Sequence, residues 1–458
     1  MAESTLELGF RRNAAWAIAE VAASAIVLFF LFRVIVGHLG VKSLGIWSLV
    51  LATTSLGRLA DLGTAAGLGR FVAIAGARQE KDKTVVYVET AIITNLLLYS
   101  VIALALWAPA FYALALTTTG EGLATARALL PFSLVSFVLI GVASATTGAI
   151  VGQQRSDQKS MIVITGLIVQ FVASVAFVPY GGLRGLAWAQ IAQYALVISL
   201  GWMLFLRNYR GTWSLRFPHR WDREVFRELI GFGAKLQAAT IISFLLDPTV
   251  KFLMSTYGGL EALGFFEMAQ RLVLQARQII VMPNQVLMPG FAHLMETEPQ
   301  RVKRLYHKAM TLSLVGGCAL LGAVALASPI ICYLWTGHVT AIFIQFTVIL
   351  AASWLANLIA APAYLLGVAS GHIWWNLWGH MLTLSGTLIA GIFLGRAFGA
   401  IGIAIGAGGM LALGSLFSMN RNCHMLGIHP LPEIRDFRLL AVRSVSLVKE
   451  KYALLQRR

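Results

Sequence analysis

Charged side chains interrupt long apolar stretches of this sequence, and they are its strongest candidates for chemistry. The basic ones are Arg33, Arg58, Lys235, Arg271 and Arg277, and the acidic ones include Glu20, Asp61, Glu89, Asp247 and Glu267. A charge at the centre of a bilayer costs about 2.5 to 3.5 kcal/mol on insertion scales, so such residues face a bundle interior or snorkel to its edge. Guanidinium groups in a low-dielectric interior suit an anionic ligand, above all a phosphorylated one.

Pairing along the same helix separates the basic residues into two groups. Three pairs place opposite charges on one helix face: Arg58 with Asp61, Asp247 with Lys251, and Glu267 with Arg271. These pairs have a structural explanation, whereas Arg277 and Lys235 have no acid within one helical turn. The predicted ligands of the anion are Arg58, Arg271, Arg277 and, near the inner mouth of the site, Lys235.

The composition identifies the elements that must hold these residues. The chain has 458 residues, of which 58% are hydrophobic and only 12% charged, and its mean hydropathy is +0.75. Because so little polar surface cannot coat a soluble globule, we predict an all-α polytopic membrane protein. The net charge of +16 does not indicate nucleic acid, since the basic residues lie in short segments between apolar spans.

The sequence offers no support for catalysis, metal binding or a cofactor. It contains no zinc-protease helix motif, no Walker loop and no nucleophile elbow. Its cysteines, Cys318, Cys332 and Cys423, lack metal-ligand or disulfide spacing. We therefore expect neither an enzyme nor a metalloprotein.

Apolar stretches of about 20 residues predict about twelve transmembrane helices. The predicted order is an N-terminal lobe of six helices at 1–206, a basic linker at 207–227, a C-terminal lobe of six helices at 228–420 and a basic tail at 421–458. Lys and Arg concentrate in alternate loops, so the positive-inside rule places both termini in the cytoplasm. The arginine-rich linker is expected to lie on the anionic inner leaflet.

An internal repeat relates the two predicted lobes. Gly40 and Gly45 recur as Gly259 and Gly264 at an offset of 219, and at the same offset Arg58 falls on Arg277. Because each copy holds an even number of helices, the two bundles share one orientation about a pseudo-twofold axis along the membrane normal. Paired buried cations in a duplicated bundle predict a carrier with a central cavity for an anion, although chance matches in a glycine-rich chain are the alternative.

Four residues are predicted to couple or gate the movement of such a carrier: Asp61, Asp247, Pro248 and Glu20. Pro248 removes a backbone hydrogen bond and bends its helix, which leaves the neighbouring carboxylate of Asp247 able to bind an ion. Glu20 has no local partner, so a protonated structural residue and a proton or cation site both remain open. The expected coupling ion is H+ or Na+, unless transport follows the gradient of the cargo alone.

Short segments in both copies resemble the bacterial polysaccharide transporters that include the O-antigen flippases. In the first copy they are residues 39–49, 61–63 and 69–73, and in the second copy residues 257–271 and 289–291. The resemblance implies the fold of the multidrug/oligosaccharidyl-lipid/polysaccharide exporters, located in the bacterial inner membrane. It also implies a polyprenyl-pyrophosphate-linked oligosaccharide as cargo, moved to the periplasmic leaflet by alternating access for lipopolysaccharide, O-antigen or exopolysaccharide synthesis.

Two other functions remain open from the sequence. A cation-coupled multidrug exporter of the same fold predicts an acid-lined chamber, so reversing the charges of Arg58 and Arg277 leaves drug efflux intact. A membrane scaffold instead holds polymerase or glycosyltransferase partners through its linker and tail. In that case removing the residues after Pro430 abolishes function, while substitutions in the cavity do not.

Overall fold

A computed structural model describes residues 2–55, 64–210, 216–237, 241–284 and 297–432, together with positions 287, 291, 294 and 295. Within these residues the fold consists of helices and their connections. The helices are α1 (Ala2–Ser55), α2 (Thr64–Ala77), α3 (Lys81–Thr117), α4 (Gly120–Gly152), α5 (Ser156–Arg210), α6 (Arg223–Gln237), α7 (Ile241–Asn284), α8 (Pro299–Thr336), α9 (Ala341–Ala369) and α10 (Trp374–Met425).

Seven of the helices in the described part of the chain are long and apolar enough to cross a bilayer. They lie at Ile18–Ser55, Lys81–Thr117, Gly120–Gly152, Ser156–Tyr209, Gln300–Thr336, Ala341–Ala369 and Trp374–Met425. Large apolar side chains remain exposed on them, as lipid contact requires. The chain is therefore an all-α, multi-pass membrane protein.

Four glycines bend four of the long helices, and they fall into two matching pairs. Gly40 (φ 77°, ψ 167°) and Gly259 (φ 81°, ψ 173°) share one backbone conformation and are separated by the repeat offset of 219. Gly182 (φ 56°, ψ −136°) and Gly399 (φ 58°, ψ −138°) share another. A Cβ is strained in these regions, so glycine is required and each helix continues as a second segment beyond its bend.

The two copies of the first glycine motif meet in a reciprocal contact between α1 and α7. A Cβ on Gly45 would lie 1.8 Å from the carbonyl oxygen of Leu260, and one on Gly264 would lie 2.2 Å from that of Val41. Val41 and Leu260 are themselves separated by the repeat offset of 219. The two helices therefore cross backbone to backbone, with equivalent residues on both sides.

The chain divides into two compact units. The first contains Met1–Met268, Ile330–Phe343 and Gly395–Ile403, and the second contains Ala269–Pro329, Ile344–Leu394 and Ala404–Arg458. In the first unit α4 packs against α1, α2, α3 and α5, and buried side chains of α2 to α6 form a core that includes Leu68, Val88, Ala145, Phe205 and Leu229. In the second unit, side chains from α8, α9 and α10 form a core that includes Tyr306, Met310, Ala363, Leu366 and Cys423.

Candidate functional site

The structure describes only part of the predicted site. Arg58 and Asp61 lie outside the described residues, and Lys235 lies on α6 but its side chain is outside them too. Arg271 is exposed on the second segment of α7. Arg277 follows on the same segment and is half-buried, so it is the predicted anion ligand whose surroundings are best defined.

The Arg277 side chain on α7 contacts α9, and α9 in turn contacts α10. Its Nη2 donates a hydrogen bond to Oδ1 of Asn357 on α9 at 2.8 Å, and its Cζ lies 4.7 Å from the ring centroid of Trp354 on the same helix. Nδ2 of Asn357 in turn donates to Oγ of Ser415 on α10 at 2.9 Å. Trp354 and Asn357 are three residues apart, which places them on one face of α9.

The electrostatic setting of Arg277 favours an anionic ligand. Both of its side-chain contacts are neutral, and among the residues that the structure describes no carboxylate forms a salt bridge with it. Its Nε is buried and has no hydrogen-bond partner within those same residues. The guanidinium thus keeps its positive charge and unused donors in a poorly hydrated place, where an anionic oxygen would be bound strongly. We call Arg277, Trp354, Asn357 and Ser415 the Arg277 site.

The sequence predicted Arg277 but neither Trp354 and Asn357, which contact it, nor Ser415, which contacts Asn357. Helix α9 carries no Asp, Glu, Lys or Arg, and Asn357 lies in the middle of it. The amide of Asn357 within so apolar a helix could have indicated a polar contact there, because a polar group inside a membrane needs a partner.

A second cluster of charges lies in the first unit, around Lys251. Its Nζ lies 3.1 Å from Oδ2 of Asp247, which confirms the predicted local pair, and 2.8 Å from Oε2 of Glu267. Oγ of Ser48 donates to the same Glu267 oxygen at 2.7 Å. Lys251 and Glu267 are 3% and 4% exposed, whereas the side chain of Asp247 is 44% exposed and the neighbouring Pro248 is buried. Helical spacing could not predict the Lys251–Glu267 pair, because the two residues lie on opposite sides of the bend at Gly259.

Glu20 has a tertiary partner that the sequence did not reveal. Nζ of Lys159, at the start of α5, lies 2.5 Å from Oε1 of Glu20, and the side chains are 32% and 16% exposed. The absence of a local partner in the sequence therefore does not leave this carboxylate unpaired. A salt bridge to α5 favours a structural role for it.

The described part of the linker around Arg220 packs on α3, a contact that the sequence did not predict. Glu89 of α3 is fully buried, and its carboxylate lies 2.7 Å from Nε of Arg220 and 3.4 Å from Nδ1 of His219. Nε1 of Trp221 also donates to Oγ1 of Thr94 at 3.2 Å. An arginine that pairs with a buried carboxylate is directed toward the protein, so this part of the linker is a structural element of the first unit.

The arrangement of helices matches that of solved transporters. A structure described as the inward-facing conformation of a multidrug resistance MATE family transporter of the MOP superfamily is similar with a TM-score of 0.74 at 15% identity, over 87% of this chain and 94% of the other. Lipid II flippase MurJ, in an inward closed conformation, is similar with a TM-score of 0.68 at 13% identity, over 96% of this chain and 93% of the other. A MOP superfamily transporter from Pyrococcus furiosus, described as having a binding pocket of reverse polarity, is similar with a TM-score of 0.57 at 15% identity. The match covers 92% of this chain and 94% of the other.

The chain thus has the fold of the MOP-superfamily transporters. Residues 34–338 match the family described as Polysaccharide biosynthesis protein. The protein belongs to that family, which confirms the resemblance seen in the sequence. A search among curated proteins finds no match for the chain.

Proposed function

We propose that this protein is a flippase that moves a polyprenyl-pyrophosphate-linked oligosaccharide from the cytoplasmic to the periplasmic leaflet for cell-surface polysaccharide synthesis. The observation that carries the proposal is the setting of Arg277, a half-buried cation that contacts an amide and an indole. Membership in a polysaccharide biosynthesis family with a transporter fold supports a carbohydrate-bearing cargo.

The chemistry of the cargo explains why a cation is needed. A pyrophosphate carries its negative charge into the bilayer with the lipid, and it must be compensated there by fixed positive charge. Arginine suits this task because its planar donors match phosphate oxygens in pairs. In this proposal Arg58 and Arg271 contribute further positive charge, and Lys235 attracts the cargo at the inner mouth.

The proposed architecture is twelve spans in two lobes of six, at 1–206 and 228–420, around a central cavity that opens alternately to each side. Support comes from the four bent helices, each of which continues beyond its glycine as a second segment. The linker at 207–227 and the tail at 421–458 are proposed to face the cytoplasm together with both termini, in the bacterial inner membrane. O-antigen, lipopolysaccharide and exopolysaccharide are the products to which the cargo is proposed to contribute.

Coupling to H+ or Na+ is proposed at Asp247, with the part of α7 around Pro248 as the moving part. Asp247 is the exposed member of the Lys251 cluster, so an ion that reaches it competes directly with the lysine ammonium. Asp61 stays a candidate for the same role. Glu20 is a weaker candidate because Lys159 already neutralises it.

A reconstituted vesicle assay tests the proposed function. Purified protein is placed in liposomes with a fluorescent polyprenyl-pyrophosphate-linked oligosaccharide, and cargo on the outer leaflet is quenched at intervals. Charge-assisted hydrogen bonds are worth about 1.5 to 3 kcal/mol each, so Arg277→Ala is expected to slow translocation by about 10- to 100-fold. Arg277→Lys, which keeps the charge but loses the paired donors, is expected to retain part of the rate.

A matched control variant lies in the first unit. Arg127 on α4 also stacks on an aromatic ring, with its Cζ 3.8 Å from the ring centroid of Phe111. Arg127→Ala removes the same chemical group outside the Arg277 site, so it is expected to leave translocation close to that of the unmodified protein. Normal translocation by Arg277→Ala would remove this residue from the mechanism, and the proposed function would lose its main support.

A further inference from the structure

We propose that Trp354 and Asn357 form a binding subsite for the sugar that is attached directly to the pyrophosphate. This inference rests on the proposed function and names the part of the cargo that this side of the Arg277 site recognises. It assigns the selectivity of the carrier to an aromatic ring and an amide on α9, beside the arginine that compensates the charge.

Distance identifies which sugar is meant. The indole of Trp354 has its ring centroid 4.7 Å from Cζ of Arg277, and Asn357 Oδ1 lies 2.8 Å from Arg277 Nη2. A phosphate bound to this guanidinium would therefore lie next to both residues. Only the sugar joined to the phosphate through a single oxygen is close enough to reach them, whereas later sugars of the oligosaccharide extend beyond.

The face of the Trp354 indole becomes accessible to a sugar when Arg277 leaves it to bind a phosphate. In the structure it is covered by the guanidinium of Arg277, and such cation–π contacts are weak beside a paired arginine–phosphate interaction. When the guanidinium turns toward a phosphate, the face becomes free. An aromatic face carries negative partial charge and attracts the C–H groups on the apolar side of a pyranose ring.

The orientation of the Asn357 amide defines the polar half of the subsite. Its Nδ2 donates to Ser415 Oγ at 2.9 Å, so its Oδ1 is the atom directed at Arg277. Once Arg277 binds phosphate, this oxygen needs a new donor. A sugar hydroxyl supplies one, and the subsite therefore fits a neutral sugar with a hydroxyl near its phosphate-linked carbon rather than a second anionic group.

Comparison with the first copy indicates that the fold itself does not require these residues. Helices α4 and α9 begin 221 residues apart, at Gly120 and Ala341, and at that offset Trp354 and Asn357 fall on Ser133 and Ser136 of α4. Neither serine offers an aromatic face or an amide. The indole and the amide are thus a feature of the second copy alone, as expected for residues that bind an asymmetric cargo.

The test compares two probes that differ only in the sugar. Binding of polyprenyl pyrophosphate and of polyprenyl pyrophosphate carrying one hexose is measured on the full-length protein in lipid nanodiscs, for the unmodified chain, Trp354→Leu and Trp354→Phe. We expect Trp354→Leu to lower the affinity for the glycosylated probe about tenfold and to change the affinity for the sugar-free probe by no more than about twofold. Trp354→Phe keeps an aromatic face, so its affinity for the glycosylated probe is expected to fall by only about threefold, with no change for the sugar-free probe.

Each other result contradicts the inference in a different way. Equal loss of both probes in Trp354→Leu, with Trp354→Phe normal, would make the indole a support for Arg277 and not a sugar subsite. Unchanged binding of both probes in Trp354→Leu would show that no sugar contacts it. If the unmodified protein binds neither probe, the proposed function itself fails, and the subsite fails with it.

Discussion

Replacing Asn357 with aspartate adds a negative charge to the Arg277 site with almost no change of shape. Oδ1 of Asn357 accepts from Arg277 Nη2 at 2.8 Å, so the new carboxylate would form a salt bridge with the guanidinium. The hydroxyl of Ser415, 2.9 Å from the amide nitrogen, can turn to donate to the second carboxylate oxygen. The variant is thus expected to fold, and its arginine becomes neutralised from within the protein.

The size of the effect follows from the distance. Two unit charges about 4 Å apart attract each other by about 4 kcal/mol at an effective dielectric constant of about 20. Desolvation of the new carboxylate offsets part of that attraction, and we take about 2 kcal/mol as the amount a phosphate must overcome. Asn357→Asp is therefore expected to weaken binding of a polyprenyl-pyrophosphate cargo by roughly 30-fold.

The assay combines binding in nanodiscs with translocation in vesicles, both using the fluorescent polyprenyl-linked oligosaccharide. Asn357→Ala serves as the control, because it removes the amide, with its hydrogen bond to Arg277, without adding a charge. We expect Asn357→Ala to stay within about fivefold of the unmodified protein, since the amide offers the cargo one neutral hydrogen bond, worth about 1 kcal/mol. Thermal unfolding of both variants establishes that the loss is one of binding.

One result would refute the reasoning. If Asn357→Asp is folded and both binds and translocates the cargo like the unmodified protein, Arg277 does not meet the pyrophosphate. Equal losses in Asn357→Asp and Asn357→Ala would also contradict it, because the amide and not the charge of Arg277 would then be the group that matters.

Two further predictions concern stability, measured by thermal unfolding in detergent. Gly45→Ala places a Cβ 1.8 Å from the Leu260 carbonyl oxygen and is expected to lower the free energy of unfolding by at least about 3 kcal/mol. Gly322→Ala, whose Cβ meets nothing within 4 Å, is expected to leave stability unchanged or to raise it. Equal stability of the two variants would contradict the close crossing of α1 and α7. Arg220→Ala leaves the buried Glu89 carboxylate with His219 as its weaker partner, and is expected to lower the free energy of unfolding by about 1 to 3 kcal/mol. This loss is expected to exceed that of Glu89→Gln, which removes the buried charge itself. The reverse order would show that the linker does not stabilise α3.

The class of protein could be predicted from the sequence because it depends on composition and on local patterns. High hydropathy excludes a soluble fold, and the spacing of Gly40 and Gly45 reappears in the second copy with the same backbone bend at Gly259. A glycine requirement of this kind is local, since it arises from one residue's own φ and ψ. For the same reason the family resemblance, which these motifs carry, is visible in the order of the residues alone.

The partners of the buried charges could not be predicted from the sequence. Trp354 and Asn357 are 77 and 80 residues beyond Arg277, and Lys159 is 139 residues beyond Glu20. Local rules did find Asp247 with Lys251, but Glu267 joins them only because α7 bends between the two.

The sequence by itself determined that this is a duplicated, multi-pass membrane protein of a polysaccharide biosynthesis family, with arginines at matching places in its two copies. Only the tertiary structure decided which side chains surround Arg277 and that the linker segment at Arg220 packs on α3. The physical reason lies in the solvent. In water an apolar stripe shows which face of a helix is buried, but lipid is as apolar as the protein interior, so the sequence pattern of a membrane helix does not show which face packs inward.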